Sequence, residues 1–221
     1  MDWQALTLSL QQAAATLVVL LPAGLWLARW LSRTGFAGKS WIEALVVLPL
    51  VLPPTVLGYY LLVSLGGAST VGLWVHDTFG IRLTFNFLGL LLASIIFNVP
   101  FLVQPVQRAF EAIPRELGEA AAVSGLSGWQ TFWRIELPLA WPGVLSAMVL
   151  TFVHTLGEFG VVLMIGGSIP GETKTIAISI YDRVQAFDLA SANRMALLLL
   201  LFSLGAVGAS FFASARLAHR R

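Results

Sequence analysis

The chain of 221 residues contains no cysteine, and this absence removes several functional classes at once. Without a thiol there is no disulfide framework, no thiolate metal site and no cysteine nucleophile. Charge is also scarce, since only 11% of the residues are Asp, Glu, Lys or Arg, whereas a soluble domain carries about a quarter. The net charge is +2, and the basic residues form no cluster of the kind that binds nucleic acid.

A nucleotide-binding loop is also missing. Residues 38–40 read Gly-Lys-Ser, like the end of a phosphate-binding loop, but the full pattern requires a glycine where the chain has Arg33. We therefore expect no nucleotide, metal or other cofactor site in this chain, and we interpret the segment as a basic loop beside a membrane.

Apolar residues are abundant, since 57% of the chain is hydrophobic. One small soluble core could not hide so much apolar surface, and the solvent around the chain is therefore expected to be lipid. The N-terminus lacks the basic start of a secretory signal peptide, so the first apolar run is expected to stay in the protein.

Five apolar stretches are long enough to cross a bilayer, which takes about 20 residues of helix. We expect a single all-α, polytopic membrane domain over residues 1–221, with spans at residues 5–29, 43–65, 84–107, 139–165 and 193–215. A polar loop, residues 108–138, joins the third span to the fourth.

Lysine and arginine are divided unequally between the two sets of loops. One set holds nine of them: Arg29, Arg33, Lys39, Arg108, Arg115, Arg134, Arg216, Arg220 and Arg221. The other set holds four: Arg82, Lys174, Arg183 and Arg194. The excess predicts that the first set is cytoplasmic, with the N-terminus outside and the C-terminus inside.

The loop at residues 108–138 is too regular to be a plain connector. Its residues 119–121, Glu-Ala-Ala, predict a short helix with small side chains on one face. Gly125 is placed to end that helix, and Leu137-Pro138 is where we expect the chain to turn back toward the membrane. The alternative is an ordinary amphipathic connection between two spans.

Seven residues in this loop keep a fixed spacing: Glu119, Ala120, Ala121, Gly125, Ile135, Leu137 and Pro138. The pattern resembles the cytoplasmic loop of ABC-importer permeases, the inner-membrane components of binding-protein-dependent transport systems. Two further stretches, residues 48–66 and 156–181, look like the permease subunit of molybdate importers. Their Gly-Glu-Phe-Gly and Ile-Pro-Gly-Glu-Thr elements are typical of permeases for molybdate, tungstate and sulfate.

The resemblance implies the type I ABC-importer permease fold and an assembly of several chains. Two copies of the permease would form a pore in the bacterial inner membrane, and two copies of a separate ATPase subunit would bind ATP and Mg²⁺. A separate extracytoplasmic protein would deliver molybdate. The seven spaced residues would form the ATPase-coupling site, and the permease itself would not be an enzyme.

Five residues within the spans are candidates for the pore or its gate: Pro53, Pro54, Asn98, Thr155 and Glu158. The two prolines interrupt helical hydrogen bonding, either as a simple packing kink or as part of a pore lining. Asn98 and Thr155 offer neutral hydrogen bonds, which suit the weak binding of a passing anion and equally suit contacts between helices.

Glu158 is puzzling because a carboxylate facing the path of a dianion would repel it. An ionisable residue inside a span is a functional candidate by default. His154, however, lies one helical turn earlier and is expected to pair with Glu158 in a structural role; the alternative is that Glu158 shapes an outer gate. One histidine and one glutamate make an incomplete metal site.

Two polar regions outside the spans supply further candidates. Glu172 and Lys174 lie in the loop after the fourth span. They either contact the binding protein or are simply solvated, and a further alternative is that Lys174 attracts the oxyanion. Trp133 and Glu136 are candidates for flanking the ATPase contact, and the alternative for Trp133 is an anchor at the membrane interface.

Three other functions are alternatives to molybdate import. The nearest is the same machine carrying tungstate, sulfate or thiosulfate. A secondary transporter working without ATP would be expected to show inverted repeats or a charged coupling-ion site, and the sequence has neither. A membrane enzyme would need a nucleophile–base set or a complete metal site, and no such set is found in the sequence.

Overall fold

The computed structural model describes residues 1–219, and the regular elements in that range are all helical. In chain order they are α1 (Trp3–Arg33), α2 (Lys39–Val51), α3 (Pro54–Leu65), α4 (Thr70–Phe79), α5 (Phe87–Glu111), α6 (Arg115–Val123), α7 (Gly128–Thr131), α8 (Leu137–Gly157), α9 (Gly160–Gly166), α10 (Ile176–Gln185) and α11 (Leu189–His219), with a π-helical turn at Phe132–Glu136 between α7 and α8. Polar side chains cap the starts of the long helices: Asp2 accepts a hydrogen bond from the Ala5 N–H in α1, and Asn86 accepts one from the Gly89 N–H in α5.

Among the described residues, four continuous helical stretches are long and apolar enough to cross a membrane: Trp3–Arg33, Phe87–Glu111, Gly128–Gly157 and Leu189–Ser214. The bent pair α2–α3 makes a fifth if it is counted as one span. The expectation of an all-α membrane protein with about five spans is therefore confirmed.

The second predicted span is not one helix. α2 and α3 meet at an angle of 107° around Leu52 and Pro53. Pro53 and Pro54 lack the backbone N–H groups that would bond to the carbonyls one turn earlier, so the helical hydrogen bonding stops here. Residues 43–65 therefore form a bent pair of helices, and the interruption expected at Pro53 and Pro54 is confirmed.

The fourth span starts well before the predicted range of residues 139–165. Helical structure runs without a break over Gly128–Gly157. In the π-helical turn the Leu137 N–H bonds to the Phe132 carbonyl, five residues back, and this wider turn admits Pro138 inside the helix. The expected turn toward the membrane at Leu137-Pro138 is thus wrong, and the polar connection is shorter than the predicted loop.

The same span also ends earlier than predicted. α8 stops at Gly157 because Glu158 takes an extended conformation with φ −69° and ψ 132°. α9 follows as a separate helix of 7 residues. The predicted range therefore covers two helices with a break between them.

The central bundle consists of α1, α5 and α8. Their buried faces share one apolar cluster, which includes Leu31 of α1, Val106 of α5 and Val144 of α8. α1 and α5 approach closely at Gly24, where an added Cβ would lie 2.6 Å from Leu102 Cδ2. A second apolar cluster joins α3 and α9 to α5, and α11 packs against α8 and α10 while most of its surface stays exposed.

One end of the bundle carries loops of the set for which we predicted a cytoplasmic position, the set with nine lysine and arginine residues. Arg29 in α1 contacts Glu136, and Lys39 in α2 contacts Glu111 in α5. The first polar connection and the long loop of the coupling pattern therefore meet at this end, which we call the basic end.

The opposite end of α1 carries Asp2, which accepts a hydrogen bond from the Ser179 hydroxyl in α10. Lys174 and Arg183 of the second set lie near Asp2. These two residues therefore lie at the opposite end of the bundle from Arg29, Arg33 and Lys39 of the first set, in the sense that the charge bias predicts. Which end faces the cytoplasm stays a prediction. Arg220 and Arg221, which we counted in the first set, lie outside the described residues.

Candidate coupling and translocation site

The helix α6 projects from the basic end of the bundle. It has 9 residues, and only Ala121 among them is buried. Glu119 and Ala120 are exposed, as is the apolar side chain of Val123, which is 90% exposed. A short helix that displays a carboxylate beside small and apolar side chains is suited to close contact with another protein, since a carboxylate pairs well with arginine.

Gly125 ends this helix through its backbone conformation. Its φ is +78°, in the left-handed region, and an added Cβ there would meet no atom within 4 Å. The Leu126 N–H bonds to the Ala121 carbonyl and the Gly125 N–H bonds to the Ala122 carbonyl, both at 3.0 Å. These two bonds form a Schellman motif, so Gly125 is required for its conformation and not for space.

The chain becomes helical again almost at once. The Ser127 hydroxyl accepts a hydrogen bond from the Gln130 N–H, and the Gln130 side chain accepts one from the Ser127 N–H, which completes a capping box. The last three residues of the coupling pattern then follow within this helix: Ile135 is half-buried, Leu137 is buried in the central apolar cluster, and Pro138 is exposed. Leu137 anchors this helix in the core, while a role of Ile135 and Pro138 in the coupling site stays a prediction.

Glu136 is not placed to flank an ATPase contact, contrary to our expectation. It is buried, and its carboxylate pairs with Arg29 Nε at 2.5 Å and with Arg33 Nη2 at 3.0 Å. Trp133 is exposed and remains available for such a contact. The sequence analysis used Arg29 and Arg33 only to predict orientation, although their spacing of four residues places both on one face of a helix.

The two broken helices meet inside the bundle. Gly160, just after the break in α8–α9, lies against the α2–α3 corner, where an added Cβ would be 2.8 Å from Pro54 Cβ. One turn further along, a Cβ on Gly58 would lie 2.7 Å from Met164 Cβ. Pro53 and Pro54 themselves are exposed on the surface of the protomer, so the corner is both a packing element of this chain and part of its outer surface.

Polar side chains from α1, α5 and α8 form a buried cluster beside these breaks. Gln12 Nε2 donates to Ser94 Oγ at 2.6 Å, and Ser94 Oγ donates to Glu158 Oε2 at 3.3 Å. Asn98 lies one turn from Ser94 and shares a hydrogen bond of 3.0 Å with His154 Nδ1. The expected pair of His154 with Glu158 is not formed, because the helix ends between them and Glu158 leaves the helical path.

Thr155 and most of its neighbours in this cluster are buried within the protomer. The Thr155 hydroxyl donates to the Thr151 carbonyl in its own helix. Asn98, Thr155 and Glu158 are all buried within the protomer. Gln12 Oε1 and Glu158 Oε1 have no hydrogen-bond partner among the described residues. Asn98 and Glu158 thus link α5 to the end of α8, whereas the Thr155 hydroxyl bonds within its own helix. A role of these three residues in a pore stays a prediction.

The other end of the bundle carries the remaining candidates. Glu172 lines a crevice of about 500 Å³, while Lys174 Nζ pairs with Asp182 at 2.7 Å. Burial alone would raise the pKa of the Asp2 carboxyl at this end, but hydrogen bonds from the Ala5 N–H and the Ser179 hydroxyl lower its pKa below the ordinary value. Within residues 1–219, no group of three or more His, Asp or Glu side chains could hold a metal ion.

Comparison with known proteins identifies close relatives along almost the whole chain. The family model described as "Binding-protein-dependent transport system inner membrane component" matches residues 21–221. The molybdenum transport system permease protein ModB of Azotobacter vinelandii is 47% identical over 202 residues, which cover 91% of this chain and 89% of that protein. The sulfate transport system permease protein CysT of Escherichia coli (strain K12) is 34% identical over an alignment 225 residues long. The alignment covers 95% of this chain and 80% of that protein.

A solved structure also shares the fold. The crystal structure of a bacterial alginate ABC transporter in complex with an alginate pentasaccharide-bound periplasmic protein matches 96% of this chain and 78% of its own chain, with a TM-score of 0.78. At 20% sequence identity the likeness concerns the fold alone. The expected permease fold of ABC importers is thereby confirmed.

Proposed function

The chain belongs to the family of binding-protein-dependent transport system inner membrane components, and we propose that it is the subunit through which an ATP-driven importer moves molybdate. The relative at 47% identity is a molybdenum transport system permease protein, and this identity supports molybdate as cargo. The permease lies in the bacterial inner membrane and performs no chemistry of its own. A separate ATPase subunit binds ATP and Mg²⁺, and an extracytoplasmic protein delivers the oxyanion to the permease.

The observation that carries this proposal is the exposed helix α6 with its fixed end at Gly125. In the proposed assembly α6 docks into a groove of the ATPase, with Glu119 facing the partner. Closure of the ATPase around ATP would then move α6 and the helices attached to it. A partner can shift a conformational equilibrium only if it binds the two states differently, and a projecting helix supplies the contact for such a difference.

A second copy of this chain is proposed to cover the α2–α3 corner. Non-helical backbone at membrane depth is tolerated only where protein or a water-filled cavity covers it, because lipid cannot satisfy the freed polar groups. The corner is exposed on the protomer, and Val51 and Tyr60 beside it are 71% and 63% exposed. A two-fold pair with the translocation path between its copies would cover this surface with protein and water.

A single cysteine placed at Val51 in this cysteine-free chain should form a disulfide-linked dimer in membranes, and a strictly monomeric product would argue against the pairing.

Reconstitution provides the main test of function. Liposomes that hold this chain with its ATPase, and the binding protein outside, should accumulate molybdate only when ATP is supplied. Glu119→Ala should lose uptake and ATPase co-purification while the chain stays inserted, whereas the matched variant Glu116→Ala, at another exposed carboxylate of α6, should change both much less. Uptake without the ATPase would refute the proposal.

The sulfate relative at 34% identity supports sulfate as a second candidate cargo, and tungstate shares the charge and tetrahedral shape of molybdate. Competition separates them: unlabelled molybdate should suppress uptake of labelled molybdate at lower concentration than sulfate does.

Orientation is tested separately with single cysteines at Ser124 and Ser168, which are both exposed and lie toward opposite ends of the bundle. Labelling of both from the same side of intact cells would contradict the proposed topology.

A further inference from the structure

We infer that Arg29 and Arg33 of α1 are positioning residues for the ATPase-driven movement, acting through Glu136 to make α1 move with the chain that follows α6. The inference rests on the proposed function, because it assigns a role within the coupling to an ATPase. It concerns residues outside the seven-residue coupling pattern. We call these three side chains the α1 clamp.

The clamp holds the segment after α6 at successive helical turns. Arg29 donates to the Gly128 carbonyl at 3.2 Å, its guanidinium lies 5.2 Å from the centre of the Phe132 ring, and it pairs with Glu136. Positions 128, 132 and 136 are four residues apart and therefore lie on one face of the helical segment. Arg33, one turn further along α1, forms the second ion pair with the Glu136 carboxylate.

The clamp is buried on its acidic side and half-buried on its basic side. The side chain of Glu136 is 6% exposed, whereas those of Arg29 and Arg33 are 34% and 28% exposed. A buried carboxylate left without its partners would be strongly unfavourable, so the pairs resist separation. Phe132 is also buried in the central apolar cluster, which fixes the same turn by packing.

A displacement of α6 has few routes into the membrane part of the protein. α6 buries only Ala121, so most of the displacement must pass through the chain on either side of it. Before α6 lies the end of α5. After α6 lies the clamped segment, whose π-helical turn departs from regular helix, and such turns are frequent at functional sites. Because the clamp joins this segment to α1, α1 is expected to move with it.

The far half of α1 reaches the buried polar cluster. Gln12 in α1 donates to Ser94, which in turn donates to Glu158 at the break between α8 and α9. The clamp and this cluster therefore lie on the same helix, about 17 positions apart, or some 25 Å along its axis at about 1.5 Å per residue. Movement of α1 offers a direct mechanical connection from the ATPase contact to the break in the helix.

The test measures the amount of molybdate moved per ATP hydrolysed by the full complex in liposomes. Glu136→Gln should lower this ratio at least about fivefold, the lower end of typical coupling effects, while the ATPase still co-purifies because α6 is intact. Arg33→Gln, which leaves the contacts of Arg29 in place, should give a smaller decrease in the same direction. A purely structural role would lower the yield of complex but leave the ratio of the assembled molecules unchanged.

Arg108→Gln is the matched control, since Arg108 also forms an ion pair at the basic end, with Glu111 at 3.0 Å, and does not contact the clamped segment. Its ratio should stay at the wild-type value. An unchanged ratio in Glu136→Gln, or an equal fall in Arg108→Gln, would overturn the inference. If Glu136→Gln fails to assemble, Arg33→Gln decides by the same criterion. A wild-type complex that moves no molybdate would instead overturn the proposed function.

Discussion

Two buried glutamates in this protein have opposite surroundings. Glu136 at the basic end is 4% exposed as a whole residue and carries ion pairs to Arg29 and Arg33. Glu158 at the break in α8–α9 is 5% exposed and meets one hydroxyl, that of Ser94, at 3.3 Å. Its second carboxyl oxygen has no hydrogen-bond partner among the described residues.

The two regions are suited to different tasks. A buried carboxylate with two arginines is fixed, because any separation leaves charge uncompensated in a medium of low dielectric constant. A carboxyl group with one hydrogen bond to a neutral hydroxyl loses little free energy when that bond is exchanged for another. The basic end is therefore suited to transmit a displacement, and the interior is suited to rearrange in response.

The largest effect is expected from Glu136→Leu. Removing the carboxylate leaves Arg29 and Arg33 without their common partner, and breaking a buried pair in this way typically destabilises a protein by about 3–5 kcal/mol. Because both arginines are partly exposed here, the lower end of that range is expected. The measurement is the free energy of unfolding of the purified chain in detergent. A loss below about 1 kcal/mol, the size of a surface pair, would mean that Glu136 and Glu158 are energetically alike.

A smaller and local effect is expected from Gly125→Ala. The position has a φ of +78°, and an L-residue in the left-handed region costs roughly 1–2 kcal/mol. Since α6 is exposed and unsupported, this cost should fray α6 rather than unfold the bundle. Amide hydrogen exchange should speed up over residues 115–124 and stay unchanged in α5 and α8. Gly118→Ala is the control within α6, because its added Cβ meets no atom within 4 Å and its φ is not positive. Equal fraying in both variants would exclude the backbone argument.

Glu158→Gln should change stability by less than about 1 kcal/mol, the net worth of an ordinary hydrogen bond. Glutamine keeps an acceptor oxygen for the Ser94 hydroxyl and has nearly the same volume. The matched comparison is Glu136→Gln, which cannot keep two ion pairs and should lose clearly more in the same unfolding measurement. A larger loss at Glu158 would show that its carboxyl group has a charged role in the interior, and the contrast between the two glutamates would fail.

The sequence predicted the apolar spans and the helix at Glu119–Ala121, because long uncharged runs and small helix-forming residues have local physical causes. It also predicted the end of that helix at Gly125. It did not predict that Leu137 and Pro138 lie inside a helix, which the π-helical turn at Phe132–Glu136 makes possible. Local rules expect a proline to end or kink a helix.

The partners of the polar residues could not be predicted for a different reason. Arg29 and Glu136 are 107 residues apart in sequence, and no local pattern connects them. The expected pair of His154 with Glu158 assumed that the helix continues between them, and the break after Gly157 removes that assumption. Local spacing gives partners only where the backbone stays regular.

A third carboxylate, Asp2 at the far end of α1, should show a weaker effect of substitution than either glutamate. Burial opposes its ionised form, but hydrogen bonds from the Ala5 N–H and the Ser179 hydroxyl keep its pKa below the ordinary value. A carboxyl whose pKa is lowered in the folded state stabilises the fold fully at any pH above the pKa of the unfolded chain, about 3.9. This stabilisation is lost as the pH falls through the folded pKa.

Asp2→Asn should keep the helix cap, because asparagine is as good a cap as aspartate. The variant should therefore be slightly less stable than wild type at pH 7 and should match it once the pH lies below the folded pKa, as measured by the unfolding midpoint at each pH. A difference that persists at the lowest pH would show that Asp2 acts through its shape and hydrogen bonds rather than its charge.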